Sequence, residues 1–150
     1  LHSFPTRRSS DLRGPKRLKP FDLDLNATPD ALPVLAVAGA CADGVSYLRN
    51  VPQARIKETD RIACMSSELR KMGVVIEELS DGMVVTGGKL KGSTDLESFK
   101  DHRIAMALSI AGLAADGETV VRDSECAAVT YPSFVDDFKK MGANFMEMTI

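Results

Sequence analysis

Seven residues near the middle of the chain, Arg55-Ile56-Lys57-Glu58-Thr59-Asp60-Arg61, interleave three cations with two carboxylates. Cations so grouped suit a phosphate or carboxylate ligand, and a carboxyl beside them can move a proton. The spacing predicts a helix start. On a helix, Lys57 and Arg61 lie four apart and Glu58 and Arg61 three apart, so all three reach one face. The plain alternative is a solvated, salt-bridged helix end, which most charge clusters are. Against it, two cations in a first turn oppose the helix dipole, which favours anions there. A bound phosphate or carboxylate would resolve that conflict. A second helix start, Asp101-His102-Arg103, precedes the apolar run Ile104-Ala105-Met106-Ala107-Leu108. Asp101 suits an N-cap, and Arg103 adds another first-turn cation. Asp30, after Pro29, holds the matching point of an earlier helix, where capping is its plain role.

The elements that must position these residues repeat along the chain. Ala38-Gly39-Ala40-Cys41-Ala42-Asp43-Gly44 returns as Ala111-Gly112-Leu113-Ala114-Ala115-Asp116-Gly117, and Lys71-Met72-Gly73 as Lys140-Met141-Gly142. Such self-similarity predicts duplicated supersecondary units of about 70 residues, at 20–88 and 89–150. In the first, residues 21–25 alternate apolar and acidic, as a half-buried strand does. Residues 32–42 form an apolar helix with Pro33 in its first turn, stopped at Asp43-Gly44 before a strand at 45–48. A helix at 58–72 places Ile62, Met65, Leu69 and Met72 on one stripe and ends at Gly73. Strands at 74–78 and 83–86 flank Ser80-Asp81-Gly82, a hairpin signal. The order is βαβαββ and the class α+β. In the second unit, a helix at 102–115 is followed by a strand at 119–122. A helix from about Pro132 then carries Phe134, Phe138 and Met141 on one face, before a strand at 144–148. The unit stops short of its last strand, which predicts a longer native chain.

With 150 residues, 44% of them apolar and 27% charged, the chain has the size and composition of one soluble domain. A net charge of -2 gives no electrostatic basis for nucleic-acid or membrane-surface binding. No apolar run approaches the roughly 20 residues that span a bilayer. Cys41, Cys64 and Cys126 are odd in number and widely spaced, and they read as reduced, partly buried thiols of a cytoplasmic protein. Residues 1–12 (LHSFPTRRSSDL) lack helical or strand periodicity, and residues 2–12 resemble an in-frame translation of a sequencing-library adapter. They are expected to be a non-native leader ahead of a gene fragment at 13–150.

The pattern RxKETDR, followed some forty residues later by DHRxAM and preceded by Pro29-Asp30, resembles the 5-enolpyruvylshikimate-3-phosphate synthase family over residues 13–149. That family's fold has two globular domains, each of three βαβαββ units arranged as an inverse α/β barrel. The resemblance therefore implies part of one domain, with one near-complete and one truncated unit. It implies a transferase that adds the substrate 5-hydroxyl to C2 of phosphoenolpyruvate while C3 gains a proton; the tetrahedral intermediate then loses phosphate and the added proton to leave an enol ether. No metal or organic cofactor is implied, and the full-length protein would be a monomer. Its partners would be phosphoenolpyruvate and shikimate 3-phosphate, with no nucleic acid and no membrane.

By matched position, Asp30 would accept the hydroxyl proton and Glu58 would protonate C3, with Lys57 bridging the substrates at the reacting centre. Arg61 and Arg103 would grip phosphoenolpyruvate, a task suited to bidentate guanidinium. His102 would help order the network, Asp101 would hold the adjacent helix start, and Gln53 would contact the shikimate phosphate. A carboxyl acting as an acid near neutral pH needs a raised pKa, which cleft closure and loss of water would supply. One departure stands out: many members place a Lys against phosphoenolpyruvate where Val129 stands here. The rival readings are the related transferase acting on UDP-N-acetylglucosamine, and a non-catalytic domain of the same fold. KETDR and DHR favour the shikimate enzyme over the first. The complete set of charges argues against the second. The chain alone is expected to be inactive, because half a cleft cannot hold two reactants in register.

Overall fold

The computed structural model describes Pro15 and residues 17–147. Its first six elements are β1 (Asp22–Asp24), α1 (Leu32–Ala40), β2 (Val45–Arg49), α2 (Arg61–Lys71), β3 (Val75–Leu79) and β4 (Gly82–Thr86). They make one sheet in the order β1-β2-β4-β3, with β1 parallel to β2 and the other pairs antiparallel. Ser46 and Leu48 of β2, Met83 and Val85 of β4 and Ile76 of β3 point to the buried face. There they meet α1 and α2, so the fold class is α+β, as the alternation of residues along the strands requires.

The stripe on α2 is as the periodicity predicts: Ile62, Met65, Leu69 and Met72 are all fully buried. Each such side chain contributes about 1.5–3 kcal/mol by leaving water. Gly73 follows at φ 82°, the left-handed value that lets the chain turn off the helix without a Cβ penalty. Glycine serves differently at Gly82. The β3–β4 turn is made by Ser80 and Asp81, and Gly82 already lies in β4. A Cβ there would run into the carbonyl oxygen of Leu48 on β2.

The remaining elements are β5 (Leu96–Glu97), α3 (His102–Ala114), β6 (Val121–Arg122) and α4 (Phe134–Lys140). Strands β5 and β6 pair in parallel through two residues each. Helix α3 has two buried faces. Ile104, Ala107, Leu108 and Ala111 enter the main core, while Ala105 joins Ala127 and Phe134 in a smaller cluster.

Three expectations need correction. Helix α2 begins at Arg61 rather than at Glu58, because the Asp60 carboxylate caps it by accepting the Ala63 N–H at 3.0 Å. Lys57 and Glu58 therefore sit in the connection before the helix, after a 3-10 turn at Pro52–Ile56. The strand expected at 119–122 shrinks to Val121–Arg122, limited by the two residues its partner offers. The strand expected at 144–148 does not form over 144–147, where no neighbouring strand offers hydrogen bonds among the described residues. Phe145 instead lays its ring about 6.0 Å from those of Phe134 and Phe138. Met148 and the 1–12 leader lie outside the described residues.

Candidate active site

Strands β1 and β2 run parallel, so their C-terminal ends share one edge of the sheet. From that edge β1 leads to a 3-10 turn at Pro29–Ala31 that carries Asp30, and β2 leads to the connection that carries Lys57 and Glu58. Strand β5 leads to Asp101 and α3. The three segments meet around one side chain, Arg61. Crevices at the carboxyl ends of strands are where α/β folds take small ligands.

The Arg61 side chain is 1% exposed and touches three carboxylates. Its Nε donates to Asp101 Oδ2 at 2.8 Å, its Nη1 to Asp30 Oδ1 at 2.9 Å and its Nη2 to Glu58 Oε2 at 2.6 Å. A further Nη2 bond reaches Asp101 Oδ1 at 3.3 Å. Burial works against the guanidinium charge, but Asp101, Glu58 and Asp30 outweigh it and hold the pKa above its ordinary value. An Arg so buried requires such partners, since an isolated buried charge costs far more than folding can supply.

Asp101 is the deepest of the carboxylates, its side chain wholly inaccessible. Besides Arg61 it accepts the backbone N–H of Arg103 at 2.9 Å, and so caps α3 while gripping α2. Thr59 adds a hydroxyl donor at 3.3 Å. Burial pushes its carboxyl pKa up, but the Arg61 bond and the Arg103 and Ile104 amides pull it below the usual range. Asp30 does not cap a helix, as its plain role would have had it. Its carboxylate instead collects Arg61 at 2.9 Å, Arg103 at 3.3 Å and Lys57 at 3.4 Å. Burial again opposes ionisation, and the fields of Arg103, Lys57 and Arg61 together lower its pKa. Asp30 is therefore an ionised acceptor near neutral pH, and its side chain remains 46% exposed. Beside it, an open depression of about 470 Å³ is lined by Asp30, Arg103, Ala31 and Val34.

Five of the residues singled out in the sequence thus converge: Asp30, Lys57, Glu58, Arg61 and Arg103. Gln53 takes no part in these ion pairs, its amide donating to the Asn26 carbonyl at 2.9 Å. His102 is buried at the first position of α3 and takes no part in the ion pairs of the described residues. Val129 ends a 3-10 turn at Ser124–Val129 and is exposed. Sequence reasoning missed the centrality of Asp101, because its pairing with Arg61 joins positions 40 residues apart. The three cysteines are free, and burial pushes each thiol pKa up, so none is poised as a thiolate. Among the described residues no group of His, Cys, Asp or Glu could hold a metal ion, and no helix is long and apolar enough to cross a membrane.

This α+β scaffold, with its cations and carboxylates gathered ahead of α2 and α3, matches solved structures of enolpyruvyl transferases. The chain superposes on EPSP synthase from Acinetobacter baumannii with a TM-score of 0.76 at 33% identity, over 83% of this chain and 30% of that one. It also superposes on the enolpyruvyl transferase NikO from Streptomyces tendae, with a TM-score of 0.70 at 30% identity, over 86% and 29%. The family model described as EPSP synthase (3-phosphoshikimate 1-carboxyvinyltransferase) matches residues 6–138, and the chain belongs to that family. Curated relatives named 3-phosphoshikimate 1-carboxyvinyltransferase include one from Acetivibrio thermocellus, 54% identical over 82% of this chain and 29% of its own length. Another, from Methanocella arvoryzae, is 50% identical over 85% of this chain and 30% of its own length. The chain thus spans about 30% of the relatives it matches.

Proposed function

We propose that this chain, as part of a longer enzyme, transfers the enolpyruvyl group of phosphoenolpyruvate to the 5-hydroxyl of shikimate 3-phosphate and releases phosphate. The observation that carries the reading is the convergence of Lys57, Arg61 and Arg103 on Asp30, with Glu58 on the other side of Arg61. Asp30, ionised and half-exposed, accepts the hydroxyl proton. Glu58 is the proton donor to C3, a role that requires it to leave Arg61 and take up a proton as the cleft closes and water is lost. Lys57 and Arg103 are the cations with donors open toward solvent, and they would take the anionic groups first. Arg61 keeps one Nη1 hydrogen unassigned, but its side chain is 1% exposed, so it reaches substrate only if an incoming anion replaces Asp30 or Glu58 on its guanidinium. Gln53 contacts the shikimate phosphate, and His102, at the start of α3, helps order the network and line the substrate site. With Val129 in place of a cation, the phosphoenolpyruvate side carries one charge fewer than in many members of the family.

The domain reading belongs to the same proposal. Residues 1–12 are a leader foreign to the enzyme, although the family match extends to residue 6, and 13–150 are part of one domain built of units at 20–88 and 89–150. The whole protein is a cytoplasmic monomer.

The test is phosphate release by the product of the source gene read through upstream of the Arg13 codon, with phosphoenolpyruvate and either acceptor. Turnover with shikimate 3-phosphate, together with none by the 150-residue chain alone, supports the reading. Turnover only with UDP-N-acetylglucosamine overturns it.

A further inference from the structure

Arg55 opens the charged stretch, yet no role above uses it. Four of its five N–H donors are engaged, none of them on Asp30. Nε donates to the Ser80 carbonyl at 2.8 Å, and Nη2 to the Leu79 carbonyl at 2.7 Å and to Glu78 Oε1 at 2.9 Å. Nη1 donates to Asp60 Oδ2 at 2.7 Å. The first three partners are consecutive residues at the β3–β4 turn, and the fourth is the cap of α2. The same turn holds the other end of the connection, where the Val51 N–H donates to the Asp81 carbonyl at 2.8 Å. The stretch that carries Lys57 and Glu58 is thus pinned to the hairpin before it begins and to the helix cap after it ends. Between the pins, Ile56 is exposed and supplies no packing of its own.

We infer that Arg55 is a positioning residue for the proposed reaction: it clamps the β3–β4 turn to the α2 cap and thereby sets where Lys57 and Glu58 stand. The inference rests on the function proposed above. Four donors diverge from one planar group toward backbone and carboxylate partners, a fork that a Lys ammonium cannot reproduce. Partly exposed ion pairs add little to stability, so the clamp has small value as a staple for the fold. Its value lies in placement, because a shift of about 1 Å at a reacting group can cost about 100-fold in rate.

Two readouts test this. The first needs no turnover: ¹⁵N relaxation on the full chain and on its Arg55→Lys, Arg55→Gln and Glu78→Gln variants. In the parent chain, residues 57–59 should have order parameters of about 0.85, and in Arg55→Gln they should fall below about 0.6. The amides of β2 and α3 should not change. The second is turnover of the longer enzyme, where Arg55→Lys should lower kcat by at least about tenfold with little change in KM. Added methylguanidinium should restore part of the kcat of Arg55→Ala. If residues 57–59 keep their order without the guanidinium, or loosen with kcat intact, the inference is overturned. Should Arg55→Gln fail to fold, the milder Glu78→Gln decides by the same two readouts. A parent enzyme with no transferase activity would instead defeat the functional reading, and relaxation would still decide whether the clamp exists.

Discussion

The two halves of the chain differ in how they hold together. Residues 22–86 build a four-stranded sheet against α1 and α2, with Leu48, Met65, Leu69 and Met83 fully buried. Residues 96–140 have only the two-residue pair β5 and β6, and a small cluster of Ala105, Ala127 and Phe134. Helix α3 leans on the larger core with one face and shelters the smaller cluster with the other. The site lies on the seam: Arg61 comes from the first half and Asp101 from the second. The second half is held to the first by the apolar face of α3 and by Leu96, by the buried Arg61–Asp101 pair, by the Glu97 N–H on the buried Glu68 carboxylate at 2.9 Å, and by the Arg103–Asp30 pair. The geometry of the site depends on that junction.

Breaking the pair should have the largest effect. Arg61→Gln leaves Asp101 buried without its charge partner, and loss of one member of a buried pair costs about 3–5 kcal/mol. A urea midpoint followed by far-ultraviolet circular dichroism measures it. A loss below about 1 kcal/mol, the range of exposed pairs, would show that the seam is not held this way.

Core truncation should separate the halves next. Leu48→Ala should cost about 2–5 kcal/mol and speed amide exchange throughout the chain. Phe134→Ala should speed exchange in the 3-10 turn at Ser124–Val129 and in α4 while β2 and α2 keep their protection. Uniform loss of protection in Phe134→Ala would make the two halves one cooperative unit and break the comparison.

The smallest effect is on pH dependence. The Asp101 pKa is lowered in the folded chain, so its contribution is complete above the unfolded value of about 3.9 and is lost as pH falls through the lower folded value. Asp101→Asn should therefore flatten the acid limb of stability against pH. Asp30 is also lowered, but solvent screens its half-exposed side chain, and Asp30→Asn should leave that limb nearly unchanged. Equal flattening by the two variants would mean that Asp30 is as much a part of the seam as Asp101.

Local signals carried the reading where the deciding physics was local. The stripe on α2, the stop at Gly73 and the hairpin near Ser80 all follow from side-chain periodicity and backbone freedom. Apolar spacing puts the start of α2 at Glu58 because it cannot tell a first turn from the residues before it. Only the Asp60 cap, a bond between one side chain and one amide, sets that boundary. The order of elements in the second unit predicts a strand at 144–148, but a strand exists only beside a partner.

What the sequence by itself determined is the set of groups, their charges and the family they belong to. Lys57, Glu58, Arg61, Asp101 and Arg103 are legible from type and spacing, since a long motif of unusual residues restricts the chemistry it can serve. Tertiary structure alone decided who pairs with whom. Asp30 serves three cations instead of capping, Asp101 reaches across 40 residues to Arg61, and Arg55 turns away from the cluster to hold a hairpin. The physical reason is that an ion pair is set by distance and burial. Both are fixed by the packing of strands and helices far apart in the chain, which no local pattern encodes.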